Sequence, residues 1–130
     1  MVGLKGRGFK RFEGVASDMR LIHYTEVPAE EADGEAKGVK VRWLISKETG
    51  APNFAMRLFE VEPGGYTPNH THPWEHEIYI LSGRGLAVGE EGEKPIRPGD
   101  VIYIPPGERH QLRNNGDETL RFLCLIPIDD

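Results

Sequence analysis

Apolar side chains recur along this chain at every second position or in short runs, and Gly and Pro interrupt them at close intervals. This spacing is typical of β-strands rather than of amphipathic helices. It predicts strands at residues 19–25, 39–46, 53–62, 67–72, 75–82, 85–89, 94–97, 101–105, 109–114 and 118–126. Turns are predicted where Gly, Pro, Asn and acidic residues cluster, at residues 62–65, 90–93, 97–100 and 114–117. Short strands at such even spacing indicate an all-β sandwich or barrel.

The first part of the chain differs in composition from the rest. Its amino end is Gly-rich and basic, and we interpret it as a flexible or edge-pairing arm, with a contact surface as the alternative. The basic residues of this arm are Lys5, Arg7, Lys10 and Arg11. Residues 26–37 are acidic and Ala-rich, which predicts a solvated loop or one short helix. The predicted organisation is therefore an amino-terminal arm, first strand and acidic loop over residues 1–38, followed by a barrel over residues 39–130.

Length and charge narrow the class of protein. A chain of 130 residues, 38% hydrophobic and 28% charged, is long enough for one globular core and too polar for a membrane protein. The net charge of -5 opposes binding to nucleic acid. The chain has one Cys and no leader pattern, and its longest apolar run covers only residues 122–128. We therefore expect a soluble cytoplasmic protein that does not bind a membrane.

Four of the five His residues lie in two short stretches, and their spacing predicts a metal site. His70 and His72 are two positions apart on a predicted strand, so their imidazoles face one side and can converge on one ion. Pro73 ends that strand, His76 opens the next one, and His110 must arrive from a strand packed alongside. The alternatives are surface imidazoles beside turns, a closed structural zinc site, and an inverted zincin string that begins at His72 and would need a continuous helix.

The two stretches resemble the two motifs of the cupin family. The first motif is Gly, five residues, His-x-His, three or four residues, Glu, six residues, Gly, and all but its Glu is filled by Gly64, His70, His72 and Gly83. The second is Gly, five residues, Pro-x-Gly, two residues, His, three residues, Asn, and it is filled by Gly99, Pro105, Gly107, His110 and Asn114. The resemblance implies a small antiparallel double-stranded β-helix, the jelly-roll cupin barrel, and a homodimer. The amino-terminal arm and the first strand are the candidate dimer elements.

The fourth metal ligand departs from the family pattern. His76 stands six residues before Gly83, as the motif requires, whereas Glu77 stands five residues before it. Because neighbouring residues of a strand face opposite sides, only one of the two can bind the ion. We assign His70, His72, His76 and His110 as metal ligands. Glu77 then has an outward role, or Glu75 or Glu77 orients a ligating imidazole through its second nitrogen.

Four neutral imidazoles leave the double charge of a divalent ion uncompensated, so the site should attract anions and oxygen donors. Imidazole ligands suit Zn, Cu, Fe and Ni. The resemblance is to small four-histidine, manganese-binding cupins, and it favours Mn, then Fe, with Zn or Ni after them. The expected partner is a small-molecule substrate. If this substrate is an anion and the Arg57 side chain points inward, Arg57 is expected to bind it.

Further candidate pocket residues lie on the last strand and on strand 53–62. Phe122 and Cys124 share one face of the last strand, which favours core packing, with lining of a barrel cavity as the alternative. Outward exposure is the other interpretation of Arg57. Trp43 and Trp74 are interpreted as packing residues, and Trp74 could wall a pocket.

The predicted function is that of a metal-dependent oxygenase or oxidase acting on a small organic substrate, because an octahedral ion with four His ligands keeps two positions open. Two other classes stay open. One is a non-catalytic small-molecule or metal sensor, and the other is a metal-dependent isomerase or lyase that needs no O2.

Overall fold

A computed structural model describes residues 18–128. Within them lie nine strands and two short 3₁₀-helices, Tyr24–Glu26 and Lys47–Thr49. The strands are β1 (Glu30–Glu31), β2 (Lys37–Ile45), β3 (Phe54–Tyr66), β4 (His76–Ser82), β5 (Gly85–Gly89), β6 (Gly92–Ile96), β7 (Val101–Ile104), β8 (Gln111–Arg113) and β9 (Leu120–Pro127). Among these residues, none of the helices has the length and apolar character needed to span a bilayer.

The strands form one curled antiparallel sheet in the order β6-β5-β8-β3-β9-β4-β7, with β2 paired to β3 and β1 paired to β2. The 13-residue strand β3 connects the two halves of the sheet, because it pairs with β2 and β9 along most of its length and with β8 only at Tyr66. The predicted all-β jelly-roll barrel is confirmed.

The core lies inside the curl of the sheet and is built from alternate residues of the strands. Strand β4 shows the pattern most clearly, since Ile78 and Ile80 are buried while Tyr79 and Leu81 are exposed. Burial of one such side chain contributes about 1.5–3 kcal/mol. Phe59 and Phe122 stack at 5.1 Å between ring centroids, and this pair lies beneath the open end of the barrel. The alternation therefore decides which side chains face the interior.

Three predicted turns are present. Residues 90–93 close the hairpin between β5 and β6, where Gly89 pairs with Gly92. At residues 97–100, the Asp100 carboxylate accepts a hydrogen bond from the main-chain N–H of Arg97 at 2.9 Å. At residues 114–117, the Asn114 side chain accepts one from the N–H of Gly116 at 2.9 Å. Side-chain acceptors thus fix two of these turns locally.

The predicted turn at residues 62–65 is wrong, because β3 continues through it. The main chain of β2 passes close beside Gly65, where a Cβ would lie 2.5 Å from the carbonyl oxygen of Lys37. The register between the two strands shifts at this point, between Lys37 and Val39. The glycines that suggested a turn allow an irregular strand pair instead.

Two predicted strands are also wrong. Residues 19–25 form no strand, because the His23 side chain accepts a hydrogen bond from the N–H of Thr25 and caps a 3₁₀-helix, which satisfies the main chain locally. Residues 67–72 form no continuous strand, and His70 alone makes a bridge, an isolated one with His110. Pro68 and Pro73 cannot donate hydrogen bonds to a sheet, which accounts for the interruption.

The acidic segment at residues 26–37 is neither a plain loop nor a helix. It contains β1, in which Glu30 pairs with Val41 and Glu31 pairs with Lys40. The predicted basic arm, with Lys5, Arg7, Lys10 and Arg11, lies outside the described residues. Since residues 19–25 form no strand, the candidate dimer element reduces to that arm, and the homodimer stays a prediction.

Candidate metal centre

The open end of the barrel contains a cavity of about 240 Å³. Strands β1, β2, β3, β4 and β9 contribute to its wall, together with residues 67–72 and His110. Seven of the predicted metal ligands and pocket candidates line it: Arg57, His70, His72, His76, His110, Phe122 and Cys124. Residues that are up to 67 positions apart in the chain therefore share one small space.

The four imidazoles lie together at one side of this cavity. The ring centroid of His72 is 4.3 Å from that of His70 and 5.3 Å from that of His76. The ring of His110 is 4.6 Å from His76 and 5.5 Å from His70. The Nε2 atoms of His70 and His72 are 3.2 Å apart. The structure thus brings the four predicted ligands into a single cluster.

Main-chain hydrogen bonds position the cluster. His70 and His110 exchange two of them, at 3.3 Å from the N–H of His70 and at 3.1 Å from the N–H of His110. The N–H of Gly107 donates to the carbonyl oxygen of His72 at 2.7 Å. His76 begins β4 opposite Ile104 and faces inward. Each ring is therefore held by the main chain of its own segment and of a neighbouring one.

The hydrogen bonds of the ring nitrogens show which atoms are available to a ligand. Nδ1 of His110 lies 3.0 Å from the carbonyl oxygen of Glu108, so it carries the proton and leaves the lone pair on Nε2. His76 is only 5% exposed, and its buried Nδ1 has no hydrogen-bond partner in the described structure. A buried polar atom without a partner is rare in native proteins and marks a place where a bound group supplies the missing interaction.

Burial favours the neutral form of three of the rings, those of His70, His72 and His76. Desolvation is the main reason that the pKa values of His70 and His72 lie below the ordinary value, and neighbouring positive groups, among them His110 and Arg57, lower them further. The same causes lower the pKa of His76 to about 3. At neutral pH these three imidazoles offer lone pairs, which is the form that binds a metal ion.

The donor set fits a divalent metal ion, although the ring orientations do not enclose one. As the rings stand, no group of three or more His, Cys, Asp or Glu side chains within residues 18–128 has the geometry of a metal site. The two closest nitrogens, however, are 3.2 Å apart. Two ligands about 2.0–2.1 Å from one ion, at angles of about 90° to 110°, would be about 2.8–3.4 Å apart. The chemistry of an all-imidazole donor set and the orphaned nitrogen of His76 both suit an ion.

Glu75 and Glu77 lie outside this cavity. Glu77 is exposed on the outer face of β4, and its carboxylate hydrogen-bonds to Glu75, which raises the pKa of the Glu75 carboxyl. The oxygen that accepts the Nδ1 proton of His110 belongs instead to the main chain of Glu108. Sequence reasoning missed this contact, because the acceptor is a carbonyl group that every residue possesses.

Arg57 points into the cavity from β3, where it lies opposite Trp43 and Cys124. Its Nη2 donates to the Sγ atom of Cys124 at 3.0 Å, and its guanidinium carbon is 5.3 Å from the ring centroid of Trp43 and 4.8 Å from that of Phe59. Its buried Nε has no hydrogen-bond partner in the described structure. Arg57 is therefore a cation held between aromatic rings, with a donor to spare.

Cys124 is buried against this guanidinium. Burial raises the pKa of its thiol, and the positive charge of Arg57 opposes that effect only in part. The thiol therefore stays protonated near neutral pH and acts as a wall of the cavity.

The acidic residues at the mouth of the cavity were not expected. Glu30 lies opposite Val41 in the pairing of β1 with β2, and both residues line the cavity, as do Glu31 and Asp33. A two-residue strand leaves no periodic pattern in a sequence, so no signal pointed to them.

Comparison with known proteins agrees with this architecture. Residues 57–126 match the family described as "Cupin domain". This chain is a cupin. The match covers both histidine stretches, so it confirms the resemblance inferred from the two motifs.

Individual relatives of this cupin carry different functions in their names. The oxalate-binding protein of Thermotoga maritima is 34% identical over 118 residues, which is 88% of this chain and 96% of the relative. The crystal structure of the polyketide cyclase RemF from Streptomyces resistomycificus superposes with a TM-score of 0.81 at 39% identity, covering 86% of this chain and 81% of that one. A 1-methylthio-D-xylulose 5-phosphate methylsulfurylase of Rhodospirillum rubrum is 39% identical over 71 residues. The aligned residues are 55% of this chain and only 46% of that relative's length. Glucose-6-phosphate isomerases of Thermococcus gammatolerans and Pyrococcus abyssi are 32% and 39% identical over 136 and 137 residues, which is 94% of this chain and 72% of each relative.

Proposed function

We propose that this cupin is a metal-dependent enzyme that binds a small anionic, oxygen-rich organic molecule and moves a proton on it, as an isomerase, lyase or cyclase does. The observation that carries the proposal is the shared cavity of about 240 Å³, which holds four imidazoles and an inward guanidinium. None of the ion pairs found in the described residues involves Arg57. A negatively charged ligand would supply the missing partner.

His70, His72, His76 and His110 would hold the ion, with Mn as the first candidate, then Fe, Zn or Ni. When bound there, a divalent ion supplies a Lewis acid for a carbonyl or carboxylate oxygen. The carbonyl oxygen of Glu108 keeps the proton of His110 on Nδ1, which turns Nε2 toward the ligand role.

The other side chains of the cavity have separate tasks. Arg57 binds an anionic group of the substrate, because its Nε lacks a partner and its guanidinium is already fixed between Trp43 and Phe59. Val41, Phe59 and Phe122 provide apolar walls that exclude water. Glu30, at the mouth, is a carboxylate available to take a proton from the substrate.

Proton transfer is preferred to oxygenase chemistry because of what the relatives share. By name, a polyketide cyclase closes a ring and a glucose-6-phosphate isomerase interconverts two isomers, and neither of these changes adds oxygen or requires O2. An all-imidazole donor set also suits Fe, which keeps an oxygenase as the second candidate.

The test begins with protein purified without chelator and without nickel affinity resin, whose metal content is measured and which is then loaded with Mn(II), Fe(II) or Zn(II). Pyruvate in D2O serves as an enolisable probe, and deuterium incorporation at its methyl group is followed by NMR with and without O2. We expect metal-dependent exchange that is independent of O2. Consumption of O2 would favour the oxygenase, and binding without exchange would favour the sensor. If no metal-dependent binding occurs, the proposal falls.

Two neighbouring residues of β4 test the ligand assignment. His76→Ala should lower the affinity for Mn(II) at least tenfold, because it removes an inward ligand. Glu77→Gln is the matched control, since this side chain lies on the outer face, and it should leave the affinity within twofold. Equilibrium dialysis of chelator-treated protein against a series of Mn(II) concentrations gives both affinities. The opposite ranking would show that Glu77 is the ligand.

A further inference from the structure

A second cavity adjoins the histidine pocket at the open end of the barrel. It measures about 530 Å³ and shares Glu30 and Trp43 with the first cavity. We call it the annex and define it by Trp43, Trp74, Ala55, Ile126 and Ser46. The chemistry proposed for the histidine pocket makes no use of this space.

Aromatic stacking forms the boundary between the two cavities. The ring of His72 lies on the indole of Trp74 at 4.6 Å between centroids and 10° between planes. His72 lines the histidine pocket and Trp74 lines the annex. On the other side, Trp43 lines both cavities and is 40% exposed. The guanidinium carbon of Arg57 lies 5.3 Å from the centroid of its ring. Trp43 therefore forms part of the wall of both cavities.

The annex suits an apolar ring and not a second anion. Two indoles, Ala55 and Ile126 supply apolar surface. The charged side chains that line the annex are Lys47, Glu30 and Glu48, so it has no excess of positive charge to hold an anion. Trp74 adds one polar requirement, because its Nε1 is buried and has no hydrogen-bond partner in the described structure. An oxygen at the edge of a bound ring would accept that hydrogen bond.

Cavity size separates two classes of substrate. Sites for drug-sized ligands occupy about 300–1,000 Å³, so the histidine pocket alone suits a group of a few atoms, while the two cavities together suit a larger molecule. A small dianion would fill only the first. The guanidinium of Arg57 in the histidine pocket suits a charged part of a ligand, and the apolar wall of the annex suits an apolar part of the same ligand.

We infer that the substrate of this cupin is bipartite, with an anionic, oxygen-rich head in the histidine pocket and a flat, apolar, aryl-type body in the annex. The assignment of the head rests on the proposed function. The assignment of the body rests on the annex alone and is independent of any metal.

The annex can be tested directly, because the two Trp residues of the chain both line it. 2-Naphthol is titrated into chelator-treated protein, and quenching of Trp emission is recorded. We expect saturable binding that is at least tenfold weaker in Trp74→Ala, with Trp43 as the remaining reporter. Tyr103→Ala is the matched control, since Tyr103 is an exposed aromatic residue on a strand outside the annex, and it should leave binding unchanged.

Trp74→Phe distinguishes a ligand site from a merely structural role of Trp74. It keeps an aromatic ring beside His72 and removes the N–H, so binding of 2-naphthol should weaken several-fold while binding of naphthalene stays the same. Absence of saturable quenching in the wild type, or equal quenching in wild type and Trp74→Ala, would overturn the annex.

The link between body and head is tested with two 2-oxo acids that share one head. On Mn(II)-loaded protein, calorimetry should show phenylpyruvate binding at least tenfold more tightly than pyruvate, and Trp74→Ala should abolish the advantage while pyruvate binding persists. Equal affinities would overturn the bipartite substrate and leave the proposed function standing. Absence of metal-dependent binding of both acids would remove the proposed function, and the naphthol titration would still decide the annex.

Discussion

Replacement of Arg57 by Met tests how this cavity recognises anions. The substitution keeps an unbranched side chain of similar length and removes the charge, the donor to Cys124 and the contacts with Trp43 and Phe59. It should therefore weaken anion binding without collapsing the barrel.

The magnitude follows from the contacts. A hydrogen bond to a charged group is worth about 1.5–3 kcal/mol, and about 1.4 kcal/mol corresponds to a tenfold change in Kd. The Kd for a carboxylate ligand should therefore rise about 10- to 150-fold. The free energy of unfolding should change little. The substitution removes two cation–π contacts of about 0.5–1 kcal/mol each. It also removes a buried Nε without a partner, whose burial costs about 1–3 kcal/mol, and the two effects oppose each other.

The assay is calorimetric titration of oxalate into Mn(II)-loaded wild type and variants. Arg57→Lys should recover only part of the affinity, since a lysine offers no planar fork. Arg121→Met is the matched control, because Arg121 is paired with Glu60 at 3.0 Å and does not line the cavity. An oxalate Kd for Arg57→Met within threefold of the wild type, or an equal loss in Arg121→Met, would refute the assignment of Arg57 as the anion-binding residue.

Three further predictions concern stability. Asn114→Ala should lower the free energy of unfolding in urea by about 2–4 kcal/mol, because this 2% exposed side chain donates to two main-chain carbonyls at 2.8 Å that would lose their partner. Gly83→Ala should destabilise more than Gly92→Ala in thermal melts, since both glycines have positive φ but only a Cβ at Gly83 would collide with the main chain of Thr119. Chelator-treated protein should lose stability as the pH falls from about 6.5 toward 3, because the pKa of His76 is about 3 in the fold and the unfolded chain takes up the proton first. One pKa unit is worth about 1.4 kcal/mol and water in the open cavity screens the group, so this loss is about 2 kcal/mol; stability that is flat over this range would contradict it.

The sequence predicted the regular strands, in which successive side chains point to opposite faces of the sheet. The alternation of β4 placed His76, Ile78 and Ile80 on one face, and the strand was predicted at 75–82 and found at His76–Ser82. The strand predicted at 67–72 is absent because this segment forms only one isolated bridge, between His70 and His110, and no continuous ladder. Local preference cannot reveal a partner 40 positions away.

The site shows the same division between local and distant information. The spacing of the four histidines predicted their convergence, whereas the direction of Arg57 stayed open until its neighbours Trp43 and Cys124 were known. The annex could not be predicted from the sequence, because Trp43 and Trp74 line one cavity only once the sheet has curled. Cavities of this kind are set by the order of the strands, and a single sequence does not state that order.

The reciprocal main-chain hydrogen bonds between His70 and His110 impose an order of events during synthesis. The first three histidines of the cluster emerge from the ribosome within seven residues, but the main-chain partners of His70 and His72 belong to residues 107–110. At about 5–20 residues per second, a gap of about 2–8 seconds separates the two segments. Until the second segment emerges, the imidazoles belong to an unpaired loop of the nascent chain, so the cluster is one of the last features of the barrel to be completed.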